Sequence, residues 1–280
     1  MKCSTRCAAL AALCAAVVSS AVASSEVDGG GSTGTTVREI RIHSHNDYAQ
    51  KRPFWGAYEA GADSIEADVF LVDGELLVAH SRKGLKKANT LRRLYLEPLR
   101  EVMRKNGGRV RANGKPLQLV IDLKSGKPAL DALLTLIEQE GFRECFDIRK
   151  NPSAVRLSVG GDISKIKDFL DYPDFVFFSV PSSRKLDDGQ YKRVSWISDY
   201  ARTHTKWRSG AMAEGDKKKI RAAAAQAHAK GVPYRLWGFP DHPEAWQLSR
   251  ELGLDYINTD HPSAVAAFMS TKDRGQKTNE

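Results

Sequence analysis

Residues 62–70 read ADSIEADVF and residues 117–123 read LQLVIDL, two short runs in which apolar residues surround single carboxylates. Similar runs recur along the chain and alternate with segments of helical periodicity. Eight runs are predicted as strands: 37–43, 62–70, 117–123, 154–159, 175–180, 194–197, 233–237 and 255–257. Alternation of strands and helices is typical of a parallel sheet, and eight is the strand number of a TIM barrel. We therefore predict the α/β class and a single (β/α)8 barrel.

Helical segments are predicted between these strands, and several begin after Pro or end at Gly, as helices commonly do. They cover residues 91–105, 128–141, 163–170, 217–231, 243–253 and 262–269. Residues 71–79, around Asp73-Gly74, predict a β-hairpin inserted after the second strand.

The N-terminus has the pattern of a secretory signal peptide, with Lys2 and Arg6 before an apolar stretch and a small-residue site at 21–23. This pattern predicts export, to the periplasm or out of the cell. No apolar stretch reaches the roughly 20 residues of a membrane span, so no transmembrane segment is expected. The predicted organisation is a signal peptide at 1–23, a flexible leader at 24–36, the barrel at 37–272 and a disordered tail at 273–280.

Composition limits the partners and the type of metal site. The chain has 43 basic and 34 acidic residues, a formal net charge of +9, which suits anionic substrates and peripheral contact with anionic surfaces. It contains no aromatic and basic platform or recognised motif for nucleic acid, so no nucleic-acid partner is expected. Outside the predicted signal peptide, Cys145 is the one cysteine, so any metal must be held by oxygen or nitrogen.

Carboxylates interrupt two of the predicted strands. Because side chains alternate along a strand, Glu66 and Asp68 share one face, and so do Asp122 and Lys124. Carboxylates in otherwise apolar strands need a counterion, and a hard divalent ion such as Mg²⁺ or Ca²⁺ prefers such oxygen ligands. The alternative is a structural salt bridge from Glu66 or Asp68 to Lys124 or Arg156.

Histidines end two of the apolar runs beside these carboxylates. His45 follows the first strand, and His80 follows the apolar run at 76–79. An imidazole has an ordinary pKa near 6.5, so two of them can supply the base and the acid that cleavage of a phosphodiester needs. Trp237 and Phe239, after the seventh strand, either line the pocket or pack at the barrel rim.

The order of these motifs resembles the glycerophosphodiester phosphodiesterase and phosphatidylinositol-specific phospholipase C-like superfamily over nearly the whole predicted barrel. It runs from His45 through Glu66-x-Asp68, His80 and Asp122-x-Lys124 to residues 256–262, YINTDHP. HSHNDY at 43–48 and TLRRLYLEPL at 90–99 are similar to the branch named after altered inheritance of mitochondria protein 6.

The resemblance implies a PLC-like phosphodiesterase barrel acting on a glycerophosphodiester or a phospholipid-headgroup-like diester, in lipid metabolism. It implies one divalent cation, Mg²⁺ or Ca²⁺, on Glu66, Asp68 and Asp122, with His45 as base and His80 as acid, or the reverse. Asn46, Lys124 and Trp237 are the expected substrate-binding residues. The usual His-Arg-Gly is replaced by His45-Asn46-Asp47, so the substrate, and the choice between hydrolysis and cyclisation, stay open. Lys124 or Arg82 would supply the missing positive charge.

Two other functions compete with this interpretation. His43-x-His45, with Asp260, is also the pattern with which other TIM-barrel metallohydrolases hold zinc. A noncatalytic barrel that binds a phosphate-bearing ligand is the second alternative.

Overall fold

The computed structural model describes residues 39–276, with side chains to residue 271. The predicted signal peptide, the predicted leader and residues 277–280 of the predicted tail lie outside the described residues. None of the helices within 39–276 is long and apolar enough to cross a membrane.

Nine strands form one sheet, and eight of them make a nearly closed parallel barrel, which confirms the predicted fold. The strands are β1 (Arg41–Ser44), β2 (Ser64–Val72), β3 (Glu75–Val78), β4 (Gln118–Leu123), β5 (Arg156–Gly161), β6 (Val176–Val180), β7 (Val194–Tyr200), β8 (Tyr234–Trp237) and β9 (Tyr256–Thr259). Their order is β8-β7-β6-β5-β4-β2-β1-β9. The backbone N–H of Asp255 donates to the Tyr234 carbonyl at 3.0 Å and links the two end strands.

Helices follow most of the barrel strands. They are α1 (Trp55–Glu59), α2 (Glu97–Lys105), α3 (Lys127–Gln139), α4 (Asp188–Tyr191), α5 (Glu214–Ala229), α6 (Pro243–Glu251) and α7 (Pro262–Gln276). A π-helical turn at Arg92–Leu96 precedes α2. Proline stands in the first turn of α2, α3, α6 and α7, where its missing N–H costs no intrahelical hydrogen bond.

The helix predicted at 163–170 is wrong. That segment is irregular and ends in a short 3-10 turn that begins at Phe169. Its apolar residues Ile163, Ile166 and Phe169 are buried at three-residue spacing, which imitates a helical stripe. The Arg184 guanidinium donates to the carbonyls of Ile163 and Ile166, so acceptors that a helix would use bond a side chain instead.

The predicted hairpin is present, because β3 runs antiparallel to β2 from Val72–Glu75 to Val69–Val78. Asp73 and Gly74 both have positive φ, 48° and 84°, as a two-residue type I′ turn requires. The hairpin therefore brings the chain after β3 back over the carboxyl end of β2.

The barrel interior is filled in layers by inward-facing side chains. Val120 and Trp196, in the middle of their strands, form with Tyr256, at the start of β9, a cluster apart from the main core between sheet and helices. The Trp196 and Tyr256 rings meet edge to face with centroids 4.8 Å apart. This layer separates the carboxyl end of the barrel from its amino end.

Candidate active site

Three carboxylates meet at the carboxyl end of the barrel. Strands β2 and β4 are paired so that Asp68 lies opposite Asp122, and alternation places Glu66 on the same inner face. One oxygen from each of these side chains lies within 4.8 Å of the others. Glu66 and Asp68 are buried, and the Asp122 side chain is 27% exposed.

Two cationic side chains offset part of this negative charge. Lys124 Nζ lies 3.0 Å from Asp68 Oδ2 and 2.9 Å from Asp122 Oδ1. The buried Arg235 lies 3.2 Å from Glu66 Oε2 through its Nη2. The salt bridge considered as an alternative thus forms between Asp68 and Lys124, whereas Arg156 lies at the other end of the barrel, at the start of β5.

The charges in the cluster shift the carboxyl pKa values in opposite directions. Burial opposes ionisation of Glu66, but Arg235 and the hydrogen bond from His43 hold the pKa of Glu66 far below its ordinary value. Burial, together with the charge of Glu66, raises the pKa of Asp122 despite Lys124. Burial and the neighbouring carboxylate both disfavour the charged form of Asp122, and a divalent cation offsets both effects. The set of three carboxylate oxygens therefore fits Mg²⁺ or Ca²⁺.

His45 is oriented by a carboxylate on the far side of its ring. Its Nδ1 lies 2.8 Å from Asp260 Oδ1 and 2.9 Å from Asn46 Nδ2; the ionised carboxylate is the stronger partner and only accepts, which favours the proton on Nδ1. Nε2 then has the lone pair and lies 3.8 Å from Glu66 Oε1. Burial opposes the charged form, but the hydrogen bond to Asp260 and the charge of Glu66 raise the pKa of His45.

His80 arrives at the site on the hairpin. Its Nδ1 lies 3.3 Å from both Asp68 Oδ2 and the Tyr48 hydroxyl. The Tyr48 hydroxyl also lies 2.9 Å from Asp68 Oδ2 and 2.6 Å from Asn46 Oδ1. The His80 side chain is 75% exposed, so it stands at the entrance while His45 lies deeper.

The two histidines and the three carboxylates line one cavity of about 340 Å³. All three predicted substrate-binding residues, Asn46, Lys124 and Trp237, line it too. Asn46 has φ 48°, and its amide is already engaged with Tyr48 and, at 3.4 Å, with Asp260.

The two aromatic residues at the carboxyl end of β8, Trp237 and Phe239, differ in their exposure. Trp237 is 44% exposed and stacks on Tyr200 with ring centroids 4.2 Å apart, so it offers a flat apolar face to the cavity. Phe239 is buried against Trp207 and packs away from the cavity. Arg82 is not part of the cavity lining, and its guanidinium lies over the Phe70 ring, so of the two predicted cations Lys124 is the one that lines the cavity.

His43 does not have the geometry of a zinc ligand. Its Nε2 lies 3.0 Å from Glu66 Oε2 and its Nδ1 3.0 Å from Ser64 Oγ, so both ring nitrogens are engaged. Burial and the charge of Arg235 lower the pKa of His43 to about 3. The geometry favours a neutral ring that positions Glu66.

Two residues that complete the site escaped the sequence interpretation. Arg235 lies between apolar residues of β8, yet it stands two positions before Trp237 and so shares its inward face, which strand alternation could have revealed. The sequence pattern suggests Asp260 only as a zinc ligand, together with His43 and His45. Its contact with His45 spans 215 positions and has no local sequence signal.

Comparisons with known proteins agree with this geometry. The model of the AIM6-like phosphodiesterase domain matches residues 32–136, which include both histidines and all three carboxylates. Altered inheritance of mitochondria protein 6 of Eremothecium gossypii is 29% identical, covering 81% of this chain and 69% of its own length. The homolog from Arthroderma benhamiae is 41% identical, covering 82% and 84%.

A solved structure shares the fold. The glycerophosphodiester phosphodiesterase from Parabacteroides distasonis superposes with a TM-score of 0.53 at 15% identity, covering 84% of this chain and 99% of its own. At this identity the match supports the barrel architecture alone.

The predicted export to the periplasm or out of the cell is wrong. The relatives are yeast proteins, and other eukaryotic ones, named for the inheritance of mitochondria. The N-terminal pattern rests on two basic residues and one apolar stretch, a compositional signal that does not by itself fix the compartment. The 41% identity along four fifths of both chains establishes that the protein belongs to the altered inheritance of mitochondria protein 6 family, whose domain is a phosphodiesterase-type TIM barrel.

Proposed function

We propose that the protein is a metal-dependent phosphodiesterase, a phosphoric diester hydrolase of the glycerophosphodiesterase and phospholipase C type. The observation that carries the proposal is the convergence of three carboxylates, two imidazoles and one ammonium group on a single cavity. Glu66, Asp68 and Asp122 would hold the cation, Mg²⁺ or Ca²⁺. When bound, it would supply positive charge against the negative charge that develops on the phosphate.

Lys124 binds the phosphate of the substrate in this proposal. Burial opposes its charge, but Asp122 and Asp68 raise the pKa of Lys124, so its ammonium group is charged at neutral pH. A charged donor gives shorter and stronger hydrogen bonds to phosphate oxygens than a neutral one. Asn46 keeps its amide for Tyr48 and Asp260 and contributes to the shape of the cavity.

The two histidines divide the proton transfers. Asp260 fixes the tautomer of His45 so that Nε2 can take a proton from the nucleophile, either water or a neighbouring hydroxyl of the substrate. His80, at the entrance, donates a proton to the oxygen of the leaving group, which departs toward solvent. The contact between the phenol of Tyr48 and His80 Nδ1 helps to hold that ring.

The substrate class follows from the cavity lining. A phosphodiester can pack the C–H surface of the group beside its phosphate on the exposed face of Trp237, and the glycerol of a glycerophosphodiester or a phospholipid headgroup has such a surface. A small-molecule or lipid-headgroup diester is therefore the proposed partner.

The test is turnover of bis(p-nitrophenyl) phosphate and of a panel of glycerophosphodiesters by metal-depleted protein, with and without Mg²⁺ or Ca²⁺. We expect activity only with a cation, and a loss of about 10²–10⁴-fold in kcat for His45→Ala on both kinds of substrate and for His80→Ala on the glycerophosphodiesters. His242→Ala is the matched control, because His242 does not line the cavity.

Unchanged turnover in both histidine variants, or full activity in chelator, would overturn the proposal. Binding of the diesters without turnover would favour the noncatalytic barrel instead. For the assignment of roles, a substrate with an activated leaving group should rescue His80→Ala and not His45→Ala, because only the general acid becomes dispensable.

A further inference from the structure

A second cavity, of about 370 Å³, opens at the amino end of the barrel, opposite the carboxylates. Its lining includes the first residues of four strands: Arg41 of β1, Gln118 of β4, Arg156 of β5 and Tyr256 of β9. Arg41 is paired in register with Tyr256, and Gln118 with Arg156, so the side chains of each pair stand on the same face of the sheet. None of the four belongs to the proposed active site.

The charge of this cavity is positive and poorly compensated. Within residues 39–276 the Arg156 guanidinium has no ion-pair or hydrogen-bond partner, and Arg41 has one long contact, 3.6 Å, with Asp255. Burial lowers the pKa of Arg156, and the charge of Arg41 lowers it further, so the two like charges are close enough to interact. The acidic lining residue, Asp63, is already engaged by Lys115 at 2.9 Å and by a backbone N–H at 2.8 Å.

Two neutral donors in the same lining also lack acceptors. Gln118 is 4% exposed, and its Nε2 is buried without a hydrogen-bond partner. The Tyr256 hydroxyl has none among the described residues either, and burial raises the pKa of Tyr256 to about 12, so it keeps its proton. Buried donors without partners are rare in folded proteins, and Gln118 Nε2, beside two arginines, indicates a missing acceptor.

We propose that Arg41, Gln118, Arg156 and Tyr256 form a second binding site, for a small phosphate-like oxyanion. Such a ligand is rich in acceptor oxygens, its negative charge offsets the charge of the two guanidinium groups, and their planar donors suit its oxygens. The cavity is large enough for a phosphomonoester. The layer of Val120 and Trp196 separates this site from the proposed active site, so the ligand does not compete with the diester.

Titration calorimetry of inorganic phosphate into the metal-free full-length protein tests the proposal. We expect Arg156→Gln to weaken binding about tenfold or more, the loss of one strong charged contact. Arg202→Gln, an exposed arginine away from both cavities, is the charge-matched control and should leave the affinity unchanged. Lys124→Gln removes the phosphate-binding cation of the active-site cavity and should leave the affinity of the amino-end site unchanged.

A crystal soaked in selenate, a heavier analogue, locates the anion through anomalous scattering, and a peak beside Arg156 supports the proposal. If Arg156→Gln does not fold, Gln118→Leu replaces it, with an expected severalfold loss of affinity. The proposal fails if phosphate does not bind, if Lys124→Gln weakens binding and Arg156→Gln does not, or if Arg202→Gln weakens it equally. These outcomes leave the proposed diesterase activity untouched, since that activity is measured at the other end.

Discussion

The two ends of the barrel differ in the sign of their charge. At the carboxyl end, the carboxylates of Glu66, Asp68 and Asp122 outnumber their cationic partners. At the amino end, the charges of Arg41 and Arg156 interact with each other, and few acidic groups offset them. The same strands line both ends, so the difference in charge arises from the residues that face inward near the carboxyl end and near the amino end of each strand. Each end can therefore be built for its own ligand, with an apolar layer between them.

The largest predicted effect is a difference in the free energy of unfolding between a variant at one end of the barrel and a variant at the other. Arg235→Met at the carboxyl end leaves the buried Glu66 without its guanidinium, and we expect a loss of about 3–5 kcal/mol in the free energy of unfolding, measured by urea denaturation without metal. Arg41→Met, at the half-exposed amino end, should cost about 1 kcal/mol or less. Equal losses would show that the ends do not differ in this way.

Asp260→Asn tests how Asp260 orients His45, the proposed base. An asparagine can present an N–H to Nδ1 and favour the wrong tautomer of His45, so kcat should fall about tenfold or more while KM and the melting temperature stay unchanged. Asp260→Glu restores an acceptor and should recover part of kcat. A fall in the melting temperature that parallels kcat would instead indicate a structural role.

Trp237→Ala tests the apolar side of the same end. Loss of the exposed ring should raise KM about fivefold with little change in kcat, because the ring contacts substrate and transition state alike. Trp237→Phe keeps a flat face and serves as the control. An unchanged KM across the diester panel would place the substrate elsewhere in the cavity.

The smallest effect concerns the amino end. Arg156→Gln should change kcat/KM for the best diester by less than about twofold, since Val120 and Trp196 lie between it and the carboxylates. Steady-state kinetics at several phosphate concentrations check this. A large change would mean that the two ends are coupled.

Much of the barrel could be predicted from sequence, because each strand is a short apolar run and strand alternation fixes which carboxylates share a face. Glu66, Asp68 and Asp122 meet for this reason. The segment at 163–170 could not be predicted, because its buried residues follow helical spacing while Arg184, distant in sequence, takes its carbonyls. The partnership of Asp260 with His45 was missed for the same reason, and the arginines at the amino end belong to no recognised motif.

The β2–β3 hairpin has a consequence for how this barrel can diversify. Among the strands of the sheet, β3 pairs with β2 alone, so His80 is carried on an appendage and not on the closed ring of strands. Lengthening or trimming that appendage would move His80 relative to a fixed set of carboxylates. Such a change gives evolution, or a protein engineer, a way to accept leaving groups of new size without disturbing the fold.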